Sequence, residues 1–226
     1  MKKIILILLS ILMFTGCFNG YDGSKVKPIP EKYDVRGVNI ESSSITTKNI
    51  DEYLFREDSV YVDLRPYSEI VREGHIAGFS FYPFYDFIAS LENTKDSEGN
   101  PYDNRLFVME NKKGMIGQIG TFSPNYEESE LILNKLFSKD KYIFAITISC
   151  NETMYFFNLL IQYGYDSSKL YNVGGFSIGT GFENIAYINI DNPKYLVKGN
   201  PTIGSIEDNT TFDFMNELTP INKGDN

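Results

Sequence analysis

The stretch from Tyr142 to Gly164 constrains this chain most. Tyr142-Ile143-Phe144-Ala145-Ile146-Thr147-Ile148-Ser149 is short, apolar and rich in β-branched and aromatic residues, and so reads as a buried strand. Met154 to Gly164 is long enough for a helix, and Gly164 suits its C-terminal cap. Between them stand Cys150, Asn151, Glu152 and Thr153. Cys150 is therefore expected in a strand-to-helix turn, where free backbone N–H groups and the positive end of the helix dipole converge. A thiol becomes more acidic there and an anion can be held. The bland reading is that Cys150 packs at the strand end as a small hydrophobe.

The N-terminus bears on where such a thiol would work. Met1-Lys2-Lys3 is positive, and Ile4 to Phe14 is apolar apart from Ser10. That order is a secretory signal, with an apolar part too short to span a bilayer. Phe14-Thr15-Gly16-Cys17 resembles a bacterial lipobox, which implies an acylated Cys17, palmitate among its chains, as the new N-terminus. The protein is then expected to be exported and lipid-anchored to the cell membrane on its extracytoplasmic face. Residues 1–16 would be the lipoprotein signal peptide and 17–33, with Pro28 and Pro30, a flexible tether. Removing residues 1–16 from 226 leaves 210, enough for one domain with a sizeable core. The formal charge of −9 becomes −11 once Lys2 and Lys3 are gone. Such a surface excludes nucleic acid as a partner and leaves membrane attachment to the lipid. With Cys17 acylated, Cys150 is the remaining thiol, so no internal disulfide is available.

Strand and helix patterns alternate along the chain. Val35 to Ile40 reads as a first strand, Ser44 to Leu54 as a turn and short helix capped by Thr47 or Asn49, and Ser59 to Arg65 as a second strand. Pro66 suits the start of a helix over Tyr67–Glu73 that stops at Gly74. Phe84–Leu91 reads as a helix. Leu106–Met109 and Gly114–Gly120 read as paired strands. Asn125–Ser138 reads as a helix with Leu131, Ile132, Leu136 and Phe137 on one face. Ile185–Ile190 reads as an added strand, and from Asp191 onward the composition suggests an irregular tail.

Two stretches carry a family resemblance. Val60-Tyr61-Val62-Asp63-Leu64-Arg65-Pro66, followed by Glu73-Gly74-His75-Ile76-Ala77-Gly78, resembles the N-terminal signature of rhodanese-like domains. Cys150 stands where that family's active cysteine stands, and Leu170-Tyr171-Asn172-Val173-Gly174-Gly175-Phe176 is similar to the strand and Gly-Gly turn that follow. The resemblance implies an α/β fold. A single rhodanese-like domain over 34–182 would have a mainly parallel central sheet with helices on both faces. An insertion over 84–124 would precede the active-site strand, as a lid, a partner surface or a decorated loop. Residues 183–226 would be a C-terminal extension, partly irregular.

The resemblance also implies chemistry. A Cys150 thiolate would take sulfur from a sulfane-sulfur donor, and a second nucleophile, such as a protein thiol partner, would remove it. The substrate-binding loop would be Asn151, Glu152, Thr153, Met154 and Tyr155. Asp63 and Arg65 would join the strand end to the turn, and His75 would hydrogen-bond backbone there. The loop departs from the family's common Cys-x-x-Gly-x-Arg. Thr153 stands for the glycine, Tyr155 for the cation, and Glu152 adds a negative charge that disfavours a thiolate. A catalytically inactive binding module on the membrane surface is therefore the alternative. A phosphatase or arsenate reductase would need an arginine close after the cysteine, and Cys150 to Leu160 contains none. One histidine and one free cysteine make no metal cluster, no nucleotide fingerprint is present, and no cofactor is expected.

Overall fold

The computed structural model describes residues 27–90, 105–110, 121–148, 151–177 and 186–199. Its strands are β1 (Ser59–Asp63), β2 (His75–Ile76), β3 (Ser80–Phe81), β4 (Ile88–Ser90), β5 (Phe107–Glu110), β6 (Thr121–Pro124), β7 (Tyr142–Thr147), β8 (Leu170–Gly175) and β9 (Leu196–Val197). Its main helices are α1 (Tyr67–Glu73), α2 (Ser129–Leu136) and α3 (Asn151–Gln162). The protein is α/β. Four parallel strands form the central sheet in the order β3-β1-β7-β8.

Period-two alternation divides the core between the two sheet faces. Ile143 and Ala145 join Val62 and Leu64 on one face, against Ile132, Leu133, Phe137, Phe156, Phe157 and Leu160 from α2 and α3. Phe144 and Ile146 join Tyr61, Tyr171 and Val173 on the other, against Ile45, Ile50, Tyr53 and Tyr187. That second face is covered by 3-10 turns at Ile50–Glu52 and Tyr187–Asn189 and by aromatic side chains. Each fully buried phenylalanine contributes about 1.5–3 kcal/mol by leaving water.

Local signals set most boundaries. Pro66 opens α1 and Gly74, at φ +92, closes it. Gly164, at φ +84, ends α3. Its N–H donates to Ile161, and the Tyr165 N–H donates to Leu160. These two bonds satisfy carbonyls that the helix end leaves open. The register shift between β7 and β8 falls beside Asn172, whose Oδ1 accepts the Gly174 N–H.

Several expected elements differ. Val35–Ile40 is not a strand. Asp34 Oδ1 accepts the Arg36 N–H, and Asn39 caps a 3-10 turn over Ile40–Ser42 by accepting the Ser42 N–H. These side chains offer the backbone partners that a ladder would otherwise supply. Phe84–Phe87 is a single helical turn that passes directly into β4. Helix α2 starts four residues late, because Ser129 Oγ accepts the Tyr126 N–H and donates to Leu106 O. Leu133 takes the buried place expected for Leu131, which is 57% exposed.

The insertion is part of the core where it is described. Strand β5 pairs with β4 in parallel and with β6 antiparallel, and Ile88, Leu106, Phe107 and Phe122 pack with Phe156 and Leu160. Gln162 on α3 accepts the Phe122 N–H at 2.8 Å. The strand expected at Gly114–Gly120 lies outside the described residues.

Both ends of the described chain are also tied down. Residues 27–33, expected in the tether, belong to the folded domain. Arg56 donates to Lys27 O at 2.6 Å, and Tyr171 Oη and Ser44 Oγ both donate to Pro30 O. Lys32 Nζ donates to Gly37 O and Ser167 O, and burial pushes its ammonium down to about 8. In the C-terminal extension, β9 pairs with β2 and Tyr187 Oη donates to Asp51 at 2.6 Å.

The buried tyrosines predict an alkaline limit. Burial pushes the Tyr171 hydroxyl up to about 12 and raises those of Tyr165 and Tyr187 as well. An unfolded tyrosine ionises near pH 10, so above that pH the folded state binds more protons than the unfolded state. Stability is then full below about pH 10 and falls as pH rises through the folded values. Urea midpoints measured from pH 9 to 12 are expected to drop above pH 10, with tyrosinate absorbance from these residues appearing only as the protein unfolds.

Candidate functional site

The carboxyl ends of the central strands gather the residues that the sequence singled out. Asp63 ends β1, and Leu64 N–H donates to Ile146 O on β7, keeping the two strand ends level. Arg65 then turns back onto Asp63. Its Nε lies 2.9 Å from Asp63 Oδ1 and its Nη2 lies 2.6 Å from Oδ2. Nη2 also donates to Gly74 O at 2.7 Å. Both side chains are fully buried. The guanidinium lies 3.7 Å from the centre of the Phe176 ring, just past the Gly174-Gly175 turn. One buried pair thus binds the β1 end, the Gly74 turn and the β8 end together.

His75 lies at the same end, in the turn after Gly74. Among the described contacts its imidazole makes an edge-on contact with Phe81 at 4.8 Å, while its backbone lies opposite Val197 in the β2–β9 pair. Burial lowers its pKa, and Arg65 adds to that while Asp63 opposes it. The ring is therefore neutral near pH 7.

Cys150, the expected nucleophile, and Cys17, the expected lipidation site, lie outside the described residues. Asn151 is the first residue of α3, so Cys150 directly precedes the helix in sequence. Glu152 and Thr153 follow in its first turn. Thr153 is fully buried, and neither its Oγ1 nor the buried Glu152 Oε2 has a hydrogen-bond partner. Met154 and Tyr155 are half-buried, and the Tyr155 ring lies 6.3 Å from that of Phe84.

Three residues, Glu73, Ser177 and Tyr85, carry no role in the sequence reading. Glu73 Oε2 lies 3.8 Å from Arg65 Nη1, and its Oε1 accepts from Arg72 at 2.8 Å. Ser177 joins Arg72 in holding the Glu73 carboxyl below its usual range, while burial raises it. Burial, then the charges of Glu152 and Tyr155, raise the Tyr85 hydroxyl pKa. Glu73 ends the helix that Gly74 stops, and Tyr85 follows Pro83-Phe84, but neither position announces a distant contact.

Three described carboxylates here, Asp63, Glu69 and Glu73, face Arg65 and Arg72. Arg65 is bound to Asp63, and Arg72 is bound to Glu69 and Glu73. Among the described residues, no group of three or more His, Cys, Asp or Glu side chains can hold a metal ion, and no helix is long and apolar enough to cross a membrane. No family model, curated protein or solved structure matches the chain.

Proposed function

We propose that the protein is a rhodanese-like sulfurtransferase that carries sulfur as a persulfide on Cys150. The observation that carries this reading is the convergence at one end of a parallel sheet. The Asp63–Arg65 strand end, the Gly74-His75 turn and Phe176 after the Gly-Gly turn meet there, and Phe84, whose N–H donates to Leu64 O, links that end to Tyr155 in the first turns of α3. Ligand sites in open α/β sheets lie at that end. The first-turn N–H groups of α3 would stabilise the anionic sulfur both before and after loading. The donor is a sulfane-sulfur compound, and the acceptor is a second nucleophile such as a protein thiol.

The signal-like N-terminus and the Phe14-Thr15-Gly16-Cys17 sequence support an exported protein, anchored through lipid on Cys17 at the extracytoplasmic face of the cell membrane. Thiocyanate release from a sulfane donor and cyanide, catalysed by the full-length protein and lost in Cys150→Ser, tests the activity. Incorporation of labelled palmitate, lost in Cys17→Ser, tests the anchor.

A second reading, a catalytically inactive binding module, is favoured by one observation. Glu152 places an unpartnered carboxylate oxygen in the first turn after Cys150, which opposes a thiolate. On that reading Cys150→Ser leaves partner binding intact and the native protein releases no thiocyanate.

A further inference from the structure

The described chain begins at the end of the sheet opposite the candidate site. Arg56 donates through Nη1 to Lys27 O and through Nε and Nη2 to Asp58, and Asp58 O accepts the Tyr142 N–H at the start of β7. Further along, Lys32 Nζ donates to Ser167 O, and Ser167 Oγ donates to Val35 O. Ser167 stands just before β8 begins at Leu170. Lys27 to Val35 therefore runs along the amino ends of β1, β7 and β8. Strand β7 has six residues, which at ~3.3 Å each puts this end about 17 Å from the strand ends of the candidate site. The loop after Lys32 is held from both sides. Asp34 N–H donates to Ser42 O, Asp34 O accepts the Gly37 N–H, and Oδ1 accepts the Arg36 N–H. Lys32 is buried and donates to Gly37 O as well as to Ser167 O. On this frame Tyr33 is 80% exposed and Val35 38%. A tyrosine presented by a fixed loop suits a membrane–water interface, where the ring leaves water, the hydroxyl stays wet and little ordering entropy is lost.

We propose that the Tyr33–Arg36 loop rests on a lipid surface, so that the candidate site faces away from the bilayer. The proposal rests on the lipid-anchor reading of Cys17 above. Cys17 precedes Lys27 by ten residues, which reach at most about 35 Å, so a lipid there keeps this end of the domain close to the bilayer. Lys27, Lys32 and Arg36 outnumber Glu31 and Asp34 along the segment, which therefore does not share the repulsion of the acidic chain from anionic lipid. With Tyr33 and Val35 against the bilayer, the Asp63–Arg65 pair and the Gly74 turn face the aqueous phase, and a partner reaches them from solution.

The chain contains no tryptophan, so one introduced at a chosen position reports that position alone. Tyr33→Trp and Tyr85→Trp are compared in the full-length protein, reconstituted into vesicles of phosphatidylcholine and phosphatidylglycerol that carry bromine on the acyl chains near the headgroups. Tyr85 is the control, because it is 52% exposed and follows Phe84, whose N–H donates to Leu64 O just past the carboxyl end of β1. Tyr33→Trp is expected to lose most of its emission to the bromine and to shift the remainder to the blue, while Tyr85→Trp emits as it does without vesicles. With lipid present on Cys17, no quenching of Tyr33→Trp, or equal quenching at both positions, overturns the docking and leaves the anchor standing. An intact mass that shows no lipid on Cys17 overturns the anchor and the docking together.

Discussion

Asp63→Ala is expected to destabilise the fold by about 3–5 kcal/mol, because it strands a buried guanidinium. Arg65 is fully buried and donates through Nε to Asp63 Oδ1 and through Nη2 to Asp63 Oδ2. Without that carboxylate, its remaining partners are Gly74 O, the Phe176 ring and the more distant Glu73. Neither a carbonyl nor a ring replaces the charge, and Glu73 at 3.8 Å is already committed to Arg72. The loss is therefore specific to breaking the pair. Replacing both residues together, as Asp63→Leu with Arg65→Met, is expected to recover much of the stability, since no charge is left unpaired. Urea denaturation followed by circular dichroism gives both values, and their difference from additivity measures the coupling. If Asp63→Ala costs no more than an exposed ion pair, about 1 kcal/mol or less, the pair does not brace the site.

Gly74→Ala is expected to free the C-terminal extension from the sheet edge. Gly74 has φ +92, where side chains other than hydrogen are strained by about 1–3 kcal/mol. A Cβ there would also stand 2.1 Å from Val197 O and 2.8 Å from Gly199 N, both backbone atoms of the extension. The strand pair His75–Ile76 with Leu196–Val197 must then part. Trypsin is expected to cut faster after Lys194 and Lys198, with a total loss of stability above about 3 kcal/mol. Gly164→Ala is the control. Its φ is also positive, but a Cβ there meets only the flexible Lys139 Nζ, at 3.7 Å. It is expected to cost about 1 kcal/mol and leave tryptic cleavage of the extension unchanged.

The contrast between these glycines shows what was legible in the sequence. Gly164 and Pro66 act on their own helix ends, and both boundaries follow from local chemistry. The same holds for β1, β5 and β7, whose apolar runs lie on strands. Gly74 was legible as a helix stop, but its contact with Val197 joins residues far apart in sequence. From Asp191 onward Asn, Pro, Gly and acidic residues read as an irregular tail, yet Tyr195 and Leu196 pack against the second face; Tyr187, within the expected strand, sits in a 3-10 turn instead. Val35–Ile40 misled because its alternation is strand-like, while Asp34 and Asn39 supply competing hydrogen bonds.

The candidate site divides the same way. Asp63, Arg65 and the Gly-Gly turn could be assembled from motifs in order. The place of His75 against Phe81 could not, nor could that of Glu73 beside Arg65. Those contacts depend on how β3 and the turn at Phe84–Phe87 fold back over the strand ends.

The most direct test of the account is the intact mass of the full-length protein before and after exposure to a sulfane donor, followed by cyanide, with the modified residue located by peptide mapping. The account predicts a gain of one sulfur atom on Cys150 that cyanide removes and that Cys150→Ser never acquires. No gain with any donor, in a protein whose Cys150 also resists alkylation while folded, would contradict it and leave a binding module in its place.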